Sequence, residues 1–379
     1  VLHQRLGALL LAARRAGGRL GPLAVVPYRG YGTATAVGLK GRVLERSGLA
    51  PSTGADSVWR NLGNSLRRFT AAPIPDAQVV ARLGGATETA TTDPEGYFRL
   101  DLSPPVALPA TGWHEVDVEL CQTPARLAGA ACARVLVPPA GAEVVVISDL
   151  DDTVLHSGVT NLLLAARLAF LHNARTRSPF EGVSAFYAAL HAGRDGQRAN
   201  PVFYVSSSPW NLYDLLSDFL RLNGILEGPL LLRAWGLDAD APPTGGHLPH
   251  KLSHIRAILS TYPTLGAVLI GDSGQHDPEV YARVVEEFPG RVRAVYIRDV
   301  TTRARDTEVA VIAAQVQAAG VPFLAVADTS AAARHASTAG LIAGEAVPSV
   351  DRERDRDAAG PLAGARRAGR RLLEPRPSG

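Results

Sequence analysis

The sequence predicts an α/β domain built on a doubly wound parallel sheet, preceded by a small all-β sandwich. Three observations predict it. Between residues 35 and 141 the apolar residues come in short alternating runs broken by Gly, Pro and Asp, as in strands with one buried face. From about residue 143 the apolar runs become continuous and alternate with helical stretches, as in buried parallel strands joined by helices. The chain has 379 residues, which suits two domains of about 100–200 residues each.

The elements follow in order. In the first part, residues 37–43, 77–83, 97–102, 114–120 and 133–137 read as strands. The stretch from Thr91 to Gly96 reads as a turn feeding the strand at Tyr97, with Gly96 supplying a permissive backbone. Cys121 and Cys132 flank a loop and are expected to be free thiols. In the second part, residues 144–147, 202–205, 230–232, 267–270, 292–297 and 323–326 read as strands, and 184–190, 212–222, 252–259, 279–288 and 309–319 as helices.

Two terminal segments complete the division. Residues 1–34 form a basic amphipathic segment and 346–379 a disordered basic tail, leaving 35–141 for the sandwich and 142–345 for the α/β domain. Arg5, Arg14, Arg15, Arg19, Arg29, Lys40 and Arg42 face no acid within residues 1–42. Leu2, Leu6, Leu9, Leu10 and Ala13 repeat at helical spacing, so residues 2–16 read as a short helix. That helix either packs on the first domain or touches an anionic membrane. Arginines interrupt it, so a signal peptide is not expected. The tail opens on Asp351-Arg352-Glu353-Arg354-Asp355-Arg356-Asp357 and continues with Arg366, Arg367, Arg370 and Arg371, a composition that reads as solvated chain.

Composition excludes several classes. Lys plus Arg number 39 against 36 for Asp plus Glu, a net charge of +3, so dedicated nucleic-acid binding is not expected. Two cysteines exclude a disulfide scaffold and a four-cysteine zinc site. No run of 18 apolar residues appears, so no spanning helix is expected.

The chemistry-bearing residues sit just after strands, where open α/β sheets bind ligands. The first strand of the second part ends in Asp149-Leu150-Asp151-Asp152. Three such carboxylates repel one another unless a cation neutralises them, and oxygen ligands suit Mg²⁺. After the second strand comes Ser206-Ser207-Ser208-Pro209, and after the fourth Gly271-Asp272-Ser273-Gly274-Gln275-His276-Asp277. Between them His250-Lys251 opens a helix.

In this order and at these places, the four motifs resemble those of the haloacid dehalogenase superfamily of phosphotransferases. The resemblance sharpens with Tyr204-Val205-Ser206-Ser207-Ser208-Pro209-Trp210-Asn211-Leu212-Tyr213 and with the loop running on through Pro278-Glu279. Together these look like the phosphatidate phosphatase family named after a yeast actin patch protein, over about residues 25–345. Val26-Pro27-Tyr28-Arg29-Gly30-Tyr31-Gly32 resembles its bacterial members, and Asp328 to Ile342 its usual ending.

The resemblance implies a haloacid-dehalogenase-like fold and a set of roles. Asp149 is the nucleophile that forms an aspartyl-phosphate, and Asp151 the general acid and base. Mg²⁺ is held by Asp149, the main-chain carbonyl of Asp151 and Asp272, with Asp277 supporting them from behind. Ser206 or Ser207 holds the transferring phosphoryl group, and Lys251 neutralises nucleophile and phosphate. Asp152 reads as a structural hydrogen-bonding group. Trp210 and Asn211 are candidates for substrate contact; Trp210 reads equally as a core tryptophan at a helix start. His156, His276 and Arg298 have local structural roles or contact the headgroup.

Residues 155–183 leave room for a helix around 162–171 but not for a folded cap. An open site suits a large or surface-held substrate. The family implies conversion of phosphatidate to diacylglycerol, and the expected partner is a phospholipid at a membrane surface. The expected location is cytoplasmic, peripheral on the inner membrane face. Two alternatives stand: a phosphatase for a phosphoprotein or nucleic-acid end, and an inactive scaffold that binds through the sandwich. Against the scaffold, Asp149, Asp151, Ser206, Lys251 and Asp272 are all present.

Overall fold

The computed structural model describes residues 21–45, 71–109, 111–121, 129–150, 181–233, 247–300 and 303–359. They form two compact units. The expected helices at 2–16 and 162–171, the loop 122–128, the arginines at 366–371, Asp151, Asp152 and His156 lie outside the described residues.

The first unit holds β1 (Leu23–Pro27), β2 (Gly30–Gly32), β3 (Val37–Glu45), β4 (Gln78–Leu83), β5 (Ala86–Thr91), β6 (Tyr97–Leu102), β7 (Gly112–Cys121) and β8 (Ala130–Val137). Hydrogen bonds join them into one sheet of order β1-β3-β2-β8-β7-β4-β5, with β6 on β3. The strands expected to form a small all-β sandwich thus belong to a single hydrogen-bonded sheet. Short β2 pairs antiparallel with β3 and parallel with β8, so it bridges what would otherwise be two sheets. Alternate residues such as Val37, Leu39 and Val43 on β3 and Val116, Val118 and Leu120 on β7 enclose one core.

Two further differences have physical reasons. The sheet begins at Leu23, so the boundary at residue 35 moves: Leu23 and Val25 are buried in the core although they sit in an arginine-rich segment. No residue of β5 is buried, so alternation left no trace of it in the sequence. The turn ahead of β6 is built as expected. Asp93 Oδ1 accepts the amides of Glu95 and Tyr97 at 2.8 and 2.9 Å, and Gly96 takes a φ of 79°, a conformation that glycine adopts without penalty. Cys121 and Cys132 are free thiols.

Trp210–Asp218 also belongs to this unit. The Trp210 ring is 6% exposed and stacks on Tyr28, centroids 4.9 Å apart and planes at 12°. Lys40 Nζ lies 5.3 Å over it. A buried, stacked ring takes the core alternative, and the membrane-facing reading of Trp210 is corrected accordingly.

The second unit is built on a six-stranded sheet. Its strands are β9 (Val144–Asp149), β10 (Val202–Pro209), β11 (Leu230–Arg233), β12 (Gly266–Asp272), β13 (Val292–Arg298) and β14 (Phe323–Val326). The order is β11-β10-β9-β12-β13-β14. Pairing is parallel between β10 and β9, β9 and β12, β12 and β13, and β13 and β14. The chain runs outward from β9 to β11, then returns to place β12 on the other side of β9. That reversal is the point where sheets of this kind open a crevice. All seven residues of β12 are buried, which accounts for its unbroken apolar run.

The helices are α1 (Val183–Ala192), α2 (Tyr213–Leu222), α3 (His247–Thr261), α4 (Asp277–Glu287), α5 (Arg303–Ala318), α6 (Thr329–Thr338) and α7 (Val347–Ala359). The expectation of disorder from residue 346 is corrected: Val347–Ala359, which includes the charged run 351–357, forms α7. Composition misled because those charges are paired. Asp357 and Glu353 accept the amides of Gly182 and Ala185 at 3.0 and 3.1 Å, serving the donors at the start of α1. Arg354 donates to Ser330 Oγ at 2.8 Å, and Val350 is fully buried.

Candidate active site

Strand register brings three motifs to one edge of the parallel sheet. Val205 on β10 pairs with Asp149, and Ile270 on β12 pairs with Ser148. One step further along each strand lie Ser206 and Gly271, at the carboxyl end of β9. Strand order places β10 and β12 on either side of it.

Lys251, in the first turns of α3, reaches this edge. Its Nζ lies 2.6 Å from Asp149 Oδ1 and 2.8 Å from Asp277 Oδ1, with all three side chains buried. Gln275 Oε1 accepts from it at 3.5 Å. The acidic loop is folded tightly behind this pair. Asp272 Oδ1 accepts the amides of Gly274 and Gln275 at 2.7 and 3.2 Å. Asp277 Oδ2 accepts the amide of Asp272 at 3.1 Å. Asp277 opens α4 with Pro278 behind it, a favoured start for a helix.

Gly271 is required by this packing rather than by backbone conformation. A Cβ there would fall 2.5 Å from Asp277 Oδ2 and 2.8 Å from its Cγ. The glycine of the Gly-Asp motif therefore makes the space in which Asp277 stands.

Carboxylate oxygens of Asp149, Asp272 and Asp277 lie within 4.8 Å of one another. With one ammonium among three carboxylates, the net charge is two negative, which one divalent cation balances. The donors are hard oxygens, so the residues fit Mg²⁺ or a similar ion. Asp277 differs from the other two, because its oxygens are engaged by Lys251 and the Asp272 amide.

Two buried tyrosines line the underside. Ser148 Oγ donates to Asp149 O at 2.9 Å and lies 2.6 Å from Tyr187 Oη. Burial pushes the Tyr187 hydroxyl up to about 12, against a smaller opposite effect of the Ser148 hydrogen bond. Tyr281 donates to Ile270 O at 2.7 Å; burial, then the negative charge of Asp277, holds its hydroxyl well above the ordinary range. Both remain protonated donors at neutral pH.

Among the sequence-derived candidates, the structure thus brings together Asp149, Lys251, Asp272 and Asp277. Ser206, Ser207 and Ser208 are all buried on β10, and Ser206 Oγ accepts the Ser208 amide at 3.0 Å. Successive strand residues face opposite ways, so Ser206 and Ser207 do not address the same side. Trp210 and Asn211 belong to the first unit. His276 is exposed just ahead of α4. Arg298 ends β13, and its carbonyl accepts the Ser273 amide at 2.8 Å. Sequence reasoning missed Ser148, Tyr187, Gln275 and Arg305. Gln275 lay within a quoted motif; Ser148 meets Tyr187 across 39 residues, and Arg305 meets Gln275 across 30, so those pairings left no local signal.

Comparison with known proteins adds a likeness to one family over part of the chain. Residues 144–299 match the family described as phosphatidate phosphatase APP1, catalytic domain. Over 153 residues the chain is 33% identical to phosphatidate phosphatase APP1 of Saccharomyces cerevisiae, covering 40% of this chain and 25% of that protein. Over 230 residues it is 27% identical to an uncharacterized protein of Schizosaccharomyces pombe, covering 59% of this chain and 36% of that protein. The chain thus spans about a quarter to a third of the length of these relatives. Among solved structures, a sialyltransferase from Photobacterium damsela is similar at a TM-score of 0.22 and 9% identity, over 77% of this chain and 50% of that one; the likeness is too low to bear on the fold. Asp149, Lys251, Asp272 and Asp277 all fall inside the matched span, which is similar to the catalytic domain of a phosphoric monoester hydrolase.

Proposed function

We propose that this chain is a Mg²⁺-dependent phosphatidate phosphatase that releases phosphate and diacylglycerol through an aspartyl-phosphate. The observation that carries the reading is Lys251 bound between Asp149 and Asp277, beside Asp272, within a segment matching a phosphatidate phosphatase catalytic domain.

The chain's residues divide the chemistry as follows. Asp149 attacks phosphorus, and the bond from phosphorus to the glycerol oxygen breaks. Asp151 gives that oxygen its proton, then takes one from the water that attacks the aspartyl-phosphate. Phosphate leaves and the Asp149 carboxylate is restored. Lys251 offsets the negative charge of Asp149 and of the incoming phosphate together. Ser206 donates a hydroxyl to a phosphoryl oxygen. Asp149, the Asp151 carbonyl and Asp272 would hold Mg²⁺, which would supply the remaining positive charge at the phosphoryl group. Asp277 acts behind these groups, with one oxygen on Lys251 and the other on the Asp272 backbone.

The basic run of residues 1–42 supports work at an anionic membrane surface. Among the described residues no helix is long and apolar enough to cross a membrane; the reading takes the attachment to be peripheral. Deleting residues 1–20 should lower sedimentation with anionic liposomes, and unchanged sedimentation would remove that segment from the reading.

The deciding experiment is phosphate release from phosphatidate in mixed micelles beside p-nitrophenyl phosphate, with Mg²⁺ or EDTA, for wild type and Asp149→Asn. The reading expects Mg²⁺-dependent turnover, lost in Asp149→Asn, with phosphatidate preferred. Cleavage of the small ester alone would keep the chemistry and replace the substrate. No turnover of either would remove the enzyme reading.

A further inference from the structure

One side chain grips the acidic loop from outside. Arg305, on α5, donates from Nε to Ser273 O at 3.1 Å and from Nη2 to Gln275 O at 2.8 Å. Nη1 and Nη2 take the two carboxylate oxygens of Glu279 at 2.7 and 2.8 Å, and Nη1 also takes Glu308 at 2.8 Å. A guanidinium has five N–H donors in a rigid plane. These five bonds use all of them.

Two of the bonds fall on backbone that also serves Asp272. The peptide between Ser273 and Gly274 gives its carbonyl to Arg305 and its N–H to Asp272 Oδ1. A trans peptide is planar, with C=O and N–H pointing opposite ways. Fixing the carbonyl therefore aims the N–H. Gly274 offers little resistance to rotation of that peptide, so the hold must come from elsewhere. Glu279, at the start of α4, anchors the guanidinium on the same helix that carries Asp277.

We infer that Arg305 is a positioning residue for the metal-binding carboxylate Asp272, acting through the peptide between Ser273 and Gly274. The inference deepens the proposed function and rests on its reading of Asp272 as a metal ligand. With all its donors committed within the protein, Arg305 does not itself bind phosphate. Lysine is no substitute, because one compact ammonium does not span two carbonyls and a bidentate carboxylate at once.

The test measures Mn²⁺ affinity by electron paramagnetic resonance titration without substrate, together with hydrogen exchange at the Gly274 and Gln275 amides. Wild type, Arg305→Ala, Arg305→Lys and Asp272→Asn are compared. Arg256→Ala, which loses a bidentate pair to Glu287 away from the loop, controls for the loss of an ion pair. Groups that orient metal ligands typically matter by about 10- to 100-fold in affinity. Arg305→Ala should weaken Mn²⁺ by about that much and speed exchange at both amides, while Arg256→Ala does neither. Arg305→Lys should fall near Arg305→Ala, and it carries the test if the alanine variant does not fold. Wild-type affinity and protection in Arg305→Ala, or full rescue by lysine, would overturn the inference. If Asp272→Asn loses Mn²⁺ and Arg305→Ala keeps it, the inference alone fails. If Asp272→Asn binds as wild type does, the metal reading fails and takes the inference with it.

Discussion

Asp277 engages Lys251 and the backbone of Asp272 with different oxygens: Oδ1 lies 2.8 Å from Lys251 Nζ, and Oδ2 accepts the Asp272 amide at 3.1 Å. One buried carboxylate thus ties the cation of α3 to the acidic loop after β12. The groups that charge chemistry needs close together are held by a residue whose own oxygens are occupied.

Lys251→Met should therefore cost stability as well as activity. It leaves the carboxylates of Asp149 and Asp277 buried without their cation, and breaking a buried pair by removing one partner costs about 3–5 kcal/mol. Urea unfolding of the two proteins measures the difference. An unchanged midpoint would mean that the pair does not hold the fold together.

Gly271→Ala should disturb Asp277 through contact alone. The added Cβ meets Asp277 at 2.5 Å, and overpacking of this kind costs about 1–3 kcal/mol. Gly266→Ala is the control on the same strand. Its new Cβ would meet the Arg293 side chain, which is exposed and can swing aside. Thermal melts should separate the two, with Gly271→Ala lower.

His335 on α6 should make the fold acid-sensitive. Its Nδ1 lies 2.9 Å from Tyr296 Oη, and burial lowers its pKa from the ordinary 6.5. Between the lowered folded value and 6.5, the unfolded chain binds the extra proton, so stability rises with pH there. The contribution is complete above 6.5 and is lost as pH falls through the folded value. His335→Phe should flatten the fall in melting temperature between pH 7.5 and 5. An equally steep fall in that variant would exclude His335 as its source.

Trp210→Ala should unfold the first unit more easily. The ring is buried against Tyr28, and loss of a buried tryptophan costs about 3–5 kcal/mol. A variant of wild-type stability that loses only vesicle binding would restore the lipid-facing reading of this residue.

Much of the fold was legible because burial writes a pattern along the chain. Val144–Asp149 and Gly266–Asp272 are central strands covered on both faces, so they read as continuous apolar runs. Where no face is buried, as in Ala86–Thr91, nothing was written. Where charges are paired across the fold, as Glu353 and Asp357 are with the start of α1, the local pattern pointed to solvated chain instead of helix.

By itself the sequence determined the class of fold and the residue types of the site. Both follow from local regularities: the period of hydrophobicity, and acids and glycines placed directly after strands. The tertiary structure alone decided that Lys251 lies between Asp149 and Asp277, that Trp210 is core, and that Arg305 closes the acidic loop. These depend on partners distant in sequence: strand order places β12 beside β9, and α3 and α4 carry Lys251 and Asp277 to Asp149. A sequence records which groups are available for pairing; only the closed fold, with its fixed distances and excluded water, selects the partners.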